Sequence, residues 1–172
     1  MNLLFRFTWL ILRSLLNRIN TNPLYKSQIN FRVLPTDCDI NAHMTNSRYM
    51  SFMDLGRVHF LLMTPLRISF WRGRWRPIVA GVLINFYKSL KPFESFDVIT
   101  ELKGCDFKWI YMEQRIEVEG QIYARAYIRG LFRNQSGNVS PAKVMEALGR
   151  GDESIVNSSV SNLFENITTL KL

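Results

Sequence analysis

Cysteine and histidine are scarce in this 172-residue chain, which has two of each: Cys38, Cys105, His43 and His59. Cysteines so far apart form neither a disulfide framework nor a metal knuckle, and a four-ligand zinc site would consume every cysteine and histidine at unfamiliar spacings. The sequence therefore predicts no metal and no cofactor, and it fits a reducing, cytoplasmic setting. Acidic residues are also short, 14 against 22 Lys and Arg, for a net charge of +8. That balance attracts anionic partners such as nucleic acid, anionic lipid or substrate phosphates. The charge is clumped in Arg67, Arg72, Arg74 and Arg76. No RNA-binding motif surrounds that run, so no nucleic-acid partner is expected, and the run reads as a solvated loop after a helix. Long hydrophobic runs are missing too: between Leu3 and Leu16 the longest is Trp9 to Leu12, too short to span a bilayer, and no small-residue cleavage site follows.

What is present is globular. Hydrophobic residues make up 47% and aromatics 13%, enough to build a large apolar interior or to line an apolar pocket, two uses that composition does not separate. Ten of the fourteen residues from Leu3 to Leu16 are apolar. At 100° per residue, Asn2, Arg6, Arg13 and Asn17 fall on one narrow face, which makes residues 1–20 an amphipathic basic helix. Such a helix lies in a lipid headgroup layer, as a peripheral membrane contact, or packs on its own domain or a second subunit. The breakers Asn20-Thr-Asn-Pro23 mark it off from a domain over 24–148, and a polar tail is expected over 149–172. On this reading residues 1–20 are dispensable for folding.

Within the domain, Ile29 to Leu34 reads as a strand. A turn-rich stretch leads to a helix from Asn46 to Met63, apolar nearly all round and ended by Pro65. Gly56 inside it points to close approach of another element. Strands follow over Val79 to Leu90, Phe96 to Lys103, Ile110 to Val118 and Ile122 to Arg133, the last three alternating apolar and polar, with Glu119-Gly120 as a hairpin turn. Ser140-Pro141 opens a short terminal helix. The fold class is α+β, one antiparallel sheet covering one long apolar helix.

The chemistry concentrates in Asp37-Cys-Asp-Ile-Asn-Ala-His-Met-Thr-Asn46, with two carboxylates, two amides and an imidazole at a strand-to-helix junction. In extended backbone Asp39, Asn41 and His43 project to one side, and the helix starting near Asn46 aims unpaired N–H groups at an oxyanion formed there. Asp39, ionised at neutral pH, can attack an acyl carbon or take a proton from attacking water. The alternative is that Asp37, Asp39 and Asn46 are turn and cap residues only. Asp54 precedes Arg57 by three, a spacing that suits a structural ion pair.

The run Phe31 to Tyr49, with Met53-Asp-Leu-Gly-Arg57, Asn85 to Phe93 and Lys108-Trp-Ile-Tyr111, resembles the signature of hotdog-fold acyl thioesterases, most of all the thioesterase superfamily member six group and its bacterial relatives. The resemblance implies a hotdog fold, about five antiparallel strands wrapped around a long central helix, here with an added N-terminal amphipathic helix. It also implies hydrolysis of acyl-CoA or acyl-carrier-protein thioesters by a homodimer or tetramer. Asp39 matches the catalytic aspartate of the 4-hydroxybenzoyl-CoA thioesterase type, and Asp39, Asn41 and His43 match the Asp-x-Asn-x-His of plant acyl-carrier-protein thioesterases. Their further strand glutamate has no counterpart, Ser89 standing nearest its place. Asp39 and His43 are thus the expected catalytic residues, with Asn41, Asn46 and Tyr49 positioning substrate, and Tyr49, Phe52, Met53 and Phe60 lining an acyl slot. A non-catalytic acyl-binding or membrane-associated protein of the same fold is the alternative.

Overall fold

The computed structural model describes residues 2–22, 24–150 and 158–168. The elements are α1 (Asn2–Leu16), β1 (Lys26–Arg32), α2 (Asn46–Met63), α3 (Leu66–Arg72), β2 (Arg76–Phe86), β3 (Ser95–Cys105), β4 (Ile110–Val118), β5 (Gln121–Asn134), β6 (Gly137–Val139), α4 (Pro141–Ala147) and α5 (Ser158–Thr168). The strands form one antiparallel sheet in the order β1-β3-β4-β5-β2, with the short β6 on β5. Alternation decides its faces. Phe96, Val98, Thr100 and Leu102 of β3 are buried beneath α2, as are Ile110, Gln114 and Ile116 of β4 and Ala124, Ala126 and Ile128 of β5. The other face carries an ion-pair ladder: Glu113 meets Lys103 at 2.8 Å and Arg125 at 3.2 Å, and Arg115 meets Glu117 at 2.7 Å.

Helix α2 is the expected central helix, and Phe52, Met53 and Leu55 are buried in the sheet's concave face. Gly56 is where the two layers come closest. A Cβ there would stand 2.6 Å from Val98 Cγ1 and 3.0 Å from Thr100 Oγ1, so only glycine fits. The hairpin at Glu119 (φ 49°) and Gly120 (φ 80°) forms where the sequence predicts it, both residues left-handed as a two-residue turn requires.

Three expectations need correction. Helix α1 is docked on the domain: Leu10 and Ser14 are buried, Arg6 reaches Asp37 Oδ2 at 2.9 Å with its guanidinium 4.6 Å from the Phe52 ring centroid, and Arg13 and Asn17 stay exposed. The linker is likewise held, Asn20 N donating to Met63 O at 2.7 Å. The helix is therefore part of the fold, because a buried carboxylate draws Arg6 inward. Secondly, Arg67 and Arg72 belong to α3, whose Arg67 donates to Ser14 O at 3.1 Å. Thirdly, the stretch read as a polar tail contains α5, whose Val160 and Phe164 are buried against Tyr111 on the outer face of the sheet; residues 151–157 and 169–172 lie outside the described residues.

Candidate functional site

The stretch between β1 and α2 is a tight loop. After a 3₁₀ turn over Pro35–Asp37, Cys38 and Met44 form an antiparallel bridge, and residues 39–43 arch between them in full exposure. The arch is not extended backbone, contrary to the alternation argument. Asp39 N donates to His43 O at 2.9 Å, and Ala42 adopts φ 55°. Asp39 Oδ1 accepts the N–H groups of Asn41 at 2.9 Å and His43 at 3.2 Å. The turn thus organises itself around the Asp39 carboxylate, as short polar side chains do when they bond backbone two residues on. These hydrogen bonds, the His43 N–H foremost and the Asn41 amide among them, hold the Asp39 carboxyl below the usual carboxylate range.

The neighbours of Asp39 are occupied otherwise. Asp37 is buried, with Oδ2 accepting from Leu34 N at 2.9 Å and from Arg6, and Oδ1 3.5 Å from Arg48 Nε. Burial and the charges of Asp37 and Asp39 push the Cys38 thiol up, which disfavours a thiolate nucleophile. Asp54 is paired with Arg57, as its spacing predicts, and Arg57 continues to Gln114 Oε1 at 2.6 Å. Gln114 in turn donates to Met53 O and Thr100 Oγ1, both at 2.8 Å. Of the described carboxylates in the stretch from β1 through α2, Asp39 alone is exposed with no cation on it.

The loop is anchored at its far end. Met44 N donates to Leu90 O at 2.9 Å, and Leu90 N donates to Tyr49 Oη at 2.9 Å while that hydroxyl donates to Lys88 O at 3.2 Å. Tyr49 is fully buried and its hydroxyl both accepts and donates within the protein, so it braces the loop after β2. Asn41, His43 and Asn46 are exposed beside Asp39 in sequence, with Thr45 rather than Asn46 at the helix N-cap position. The first N–H groups of α2 lack helical partners, as in any helix.

A cavity of about 520 Å³ lies away from this loop, at the C-terminal half of α2. It is lined by Phe7 and Ile11 of α1, Phe60 of α2, Trp71 of α3, Val79 of β2 and Ile128 of β5, among others. Of the four residues expected to line an acyl slot, Phe60 lines this cavity, whereas Tyr49, Phe52 and Met53 are buried in the core and do not. Arg57 stands at the wall, its pKa lowered to about 10 by burial yet still charged at neutral pH. Sequence reasoning overlooked Arg6 and Gln114. Gln114 had a signal, since it falls on the apolar face of β4 between Met112 and Ile116.

Comparison with known proteins agrees with this architecture. A family model described as the thioesterase-like superfamily matches residues 33–150. The probable thioesterase YBR096W of Saccharomyces cerevisiae is 26% identical over 133 residues, covering 75% of this chain and 57% of that protein. Protein THEM6 of Xenopus laevis is 30% identical over 116 residues, covering 67% of this chain and 55% of that protein. The chain spans about half the length of the curated relatives it matches. Among solved structures, the YbaW probable thioesterase of Escherichia coli superposes with a TM-score of 0.66 at 18% identity, covering 72% of this chain and 96% of that one. The gentisyl-coenzyme A thioesterase BH1999 gives 0.61 at 18% identity, covering 71% and 98%. At such identities the solved structures speak for the fold, which is the hotdog. With a family model spanning the Asp39 loop, the central helix and strands β2 to β6, the chain belongs to the thioesterase-like superfamily.

Proposed function

We propose that this protein hydrolyses acyl thioesters, acyl-CoA or acyl-carrier-protein, with Asp39 as the reacting carboxylate. The observation that carries the reading is the contrast among the carboxylates of this region: Asp37 and Asp54 are ion-paired, while Asp39 is exposed, uncompensated and held ionised on a loop that its own hydrogen bonds rigidify. Asp39 either attacks the acyl carbon, giving an acyl–aspartyl anhydride that water then hydrolyses after the thiolate has left, or takes a proton from a water that attacks the acyl carbon and expels the thiolate. In this reading His43 and Asn46 orient the thioester, and Asn41 holds Asp39, its N–H donating to Oδ1 at 2.9 Å. The apolar cavity takes the acyl tail; its volume is within the range of about 300–1,000 Å³ of small-molecule sites.

The working unit is proposed as a homodimer, since no residue of the Asp39 loop lines the apolar cavity of its own protomer. Incubating the purified protein with acyl-CoAs of graded chain length while following free thiol tests the reading. Turnover that falls by at least about a hundredfold in Asp39→Asn, with thermal stability nearly unchanged, supports it. Wild-type turnover in that variant leaves a binding role for the fold and a turn role for Asp39.

A further inference from the structure

Helix α1 leaves more apolar surface exposed than a helix whose only task is to cover a core. Its inner side carries Arg6, Leu10 and Ser14, while Leu4, Phe5, Trp9, Leu12 and Leu16 are between 60% and 88% exposed. Phe5, Trp9, Leu12 and Leu16 follow one another at helical spacings of four, three and four, so they form a continuous outward stripe. Nothing among the described residues covers it. A contiguous apolar patch of this size on a folded surface marks an interaction site.

We propose that this stripe docks the protein on an anionic lipid bilayer, with α1 lying in the plane of the headgroup boundary. Three observations choose a bilayer over a second copy of the chain. Arg13 is exposed on α1 itself, flanking the stripe on a chain of net charge +8, so the rim complements anionic headgroups. Two copies meeting face to face here would bring like charges together. Trp9 supplies the amphipathic ring that favours the boundary region. No described helix is long and apolar enough to cross a membrane, so α1 lies on the bilayer.

The inner side adds a consequence. Phe7 and Ile11 of the same helix line the apolar cavity, and Trp71 lines it while remaining 58% exposed, which sets it at the cavity rim. Docking therefore brings the bilayer up against one wall of the cavity.

The full chain is tested by co-sedimentation with vesicles of phosphatidylcholine alone and of phosphatidylcholine with phosphatidylserine. The expected result is binding to the anionic vesicles, weaker on neutral ones and weakened by salt, and reduced at least about tenfold in W9E/L12E. Both side chains point outward, so the melting temperature should hold. As a milder variant, Trp9→Phe keeps the stripe apolar and the fold intact; quenching of tryptophan fluorescence by brominated lipid should drop in it. Absence of binding to anionic vesicles, binding indifferent to W9E/L12E, or quenching indifferent to Trp9→Phe would overturn the proposal. So would a lipid-free change from oligomer to monomer in W9E/L12E, which would make the stripe an interface between copies.

Discussion

Asp37 and Asp39 stand two positions apart and carry opposite assignments. Asp37 is buried between Arg6 and Arg48 and fixes the turn that starts the loop, so Asp37→Asn leaves two guanidinium groups short of a partner. Breaking a buried pair from one side costs about 3–5 kcal/mol. We expect Asp37→Asn to lower the melting temperature by several degrees while folded molecules retain most of their turnover, the reverse of Asp39→Asn. A melting curve and a thiol-release assay on both variants separate the two roles. His59 offers a second test at this scale. Burial foremost, with Arg13 adding to it, lowers its pKa to about 4, while its Nδ1 lies 2.5 Å from Ser27 Oγ. The unfolded chain takes up that proton near about pH 6.5 and the folded one only near 4, so stability is present above the unfolded value and is lost as pH falls between them. In His59→Gln the loss of melting temperature from pH 6.5 to 4 should be smaller than in wild type. Equal slopes would show that His59 is not the group responsible.

At the scale of elements, most of the sheet and its helix were legible in the sequence because two periodicities are clean there. The alternation in β3 to β5 reflects one face on α2 and one on solvent, and the all-round apolarity of α2 reflects burial between the sheet and other helices. The first strand and β2 shift by a few residues, since a partly exposed strand such as β2 lacks the alternation that would fix its ends. The Asp39 loop was legible in composition and not in shape: extended backbone fits its spacing equally well, and only the Asp39 hydrogen bonds decide for the arch. Helix α1 was legible as a helix and not in its orientation. Amphipathic patterning assumes that polar faces turn outward, and the buried partner that draws Arg6 inward lies thirty-one positions away. It follows that α1 is not dispensable. A chain starting at Leu24 uncovers the Phe52 ring and the buried Asp37, strips Phe7 and Ile11 from the cavity, and should melt well below the full chain or aggregate. Arg6→Met, which keeps much of the stem and removes the charge, should reproduce part of that loss without removing the helix. Full stability in the truncated chain would mean that the Arg6–Asp37 pair contributes nothing.

For the whole molecule, the decisive feature is the free edge of β2. The other edge, β1, carries Lys26 and Arg32 at its ends, whereas β2 has no charge from Pro77 to Phe86 and is exposed along much of its length. A long, uncharged edge invites pairing with another strand. In an antiparallel pair of two β2 strands centred near Gly81, Phe86 of one copy faces Arg76 of the other. The Phe86 end adjoins the Asp39 loop, through the Tyr49–Phe86 ring contact at 5.2 Å and the Met44–Leu90 hydrogen bond. The Arg76 end adjoins the cavity, which Pro77, Ile78 and Val79 line. On our proposal, such a pairing would set the Asp39 loop of one protomer beside the cavity of its partner, with the thioester at the loop and the acyl tail in the cavity. Ala80 sits at the bulge between Val79 and Gly81, exposed and outside the register with β5. Ala80→Asp should leave the β2–β5 ladder intact yet oppose two carboxylates near the two-fold axis, which is destabilising across paired strands. We expect light scattering to show the wild type as a dimer or larger even assembly and Ala80→Asp as a monomer, folded by circular dichroism and inactive. A monomeric Ala80→Asp with full thioesterase activity would mean that each protomer holds a complete site, and a wild type that is already monomeric at micromolar concentration would remove β2 pairing altogether.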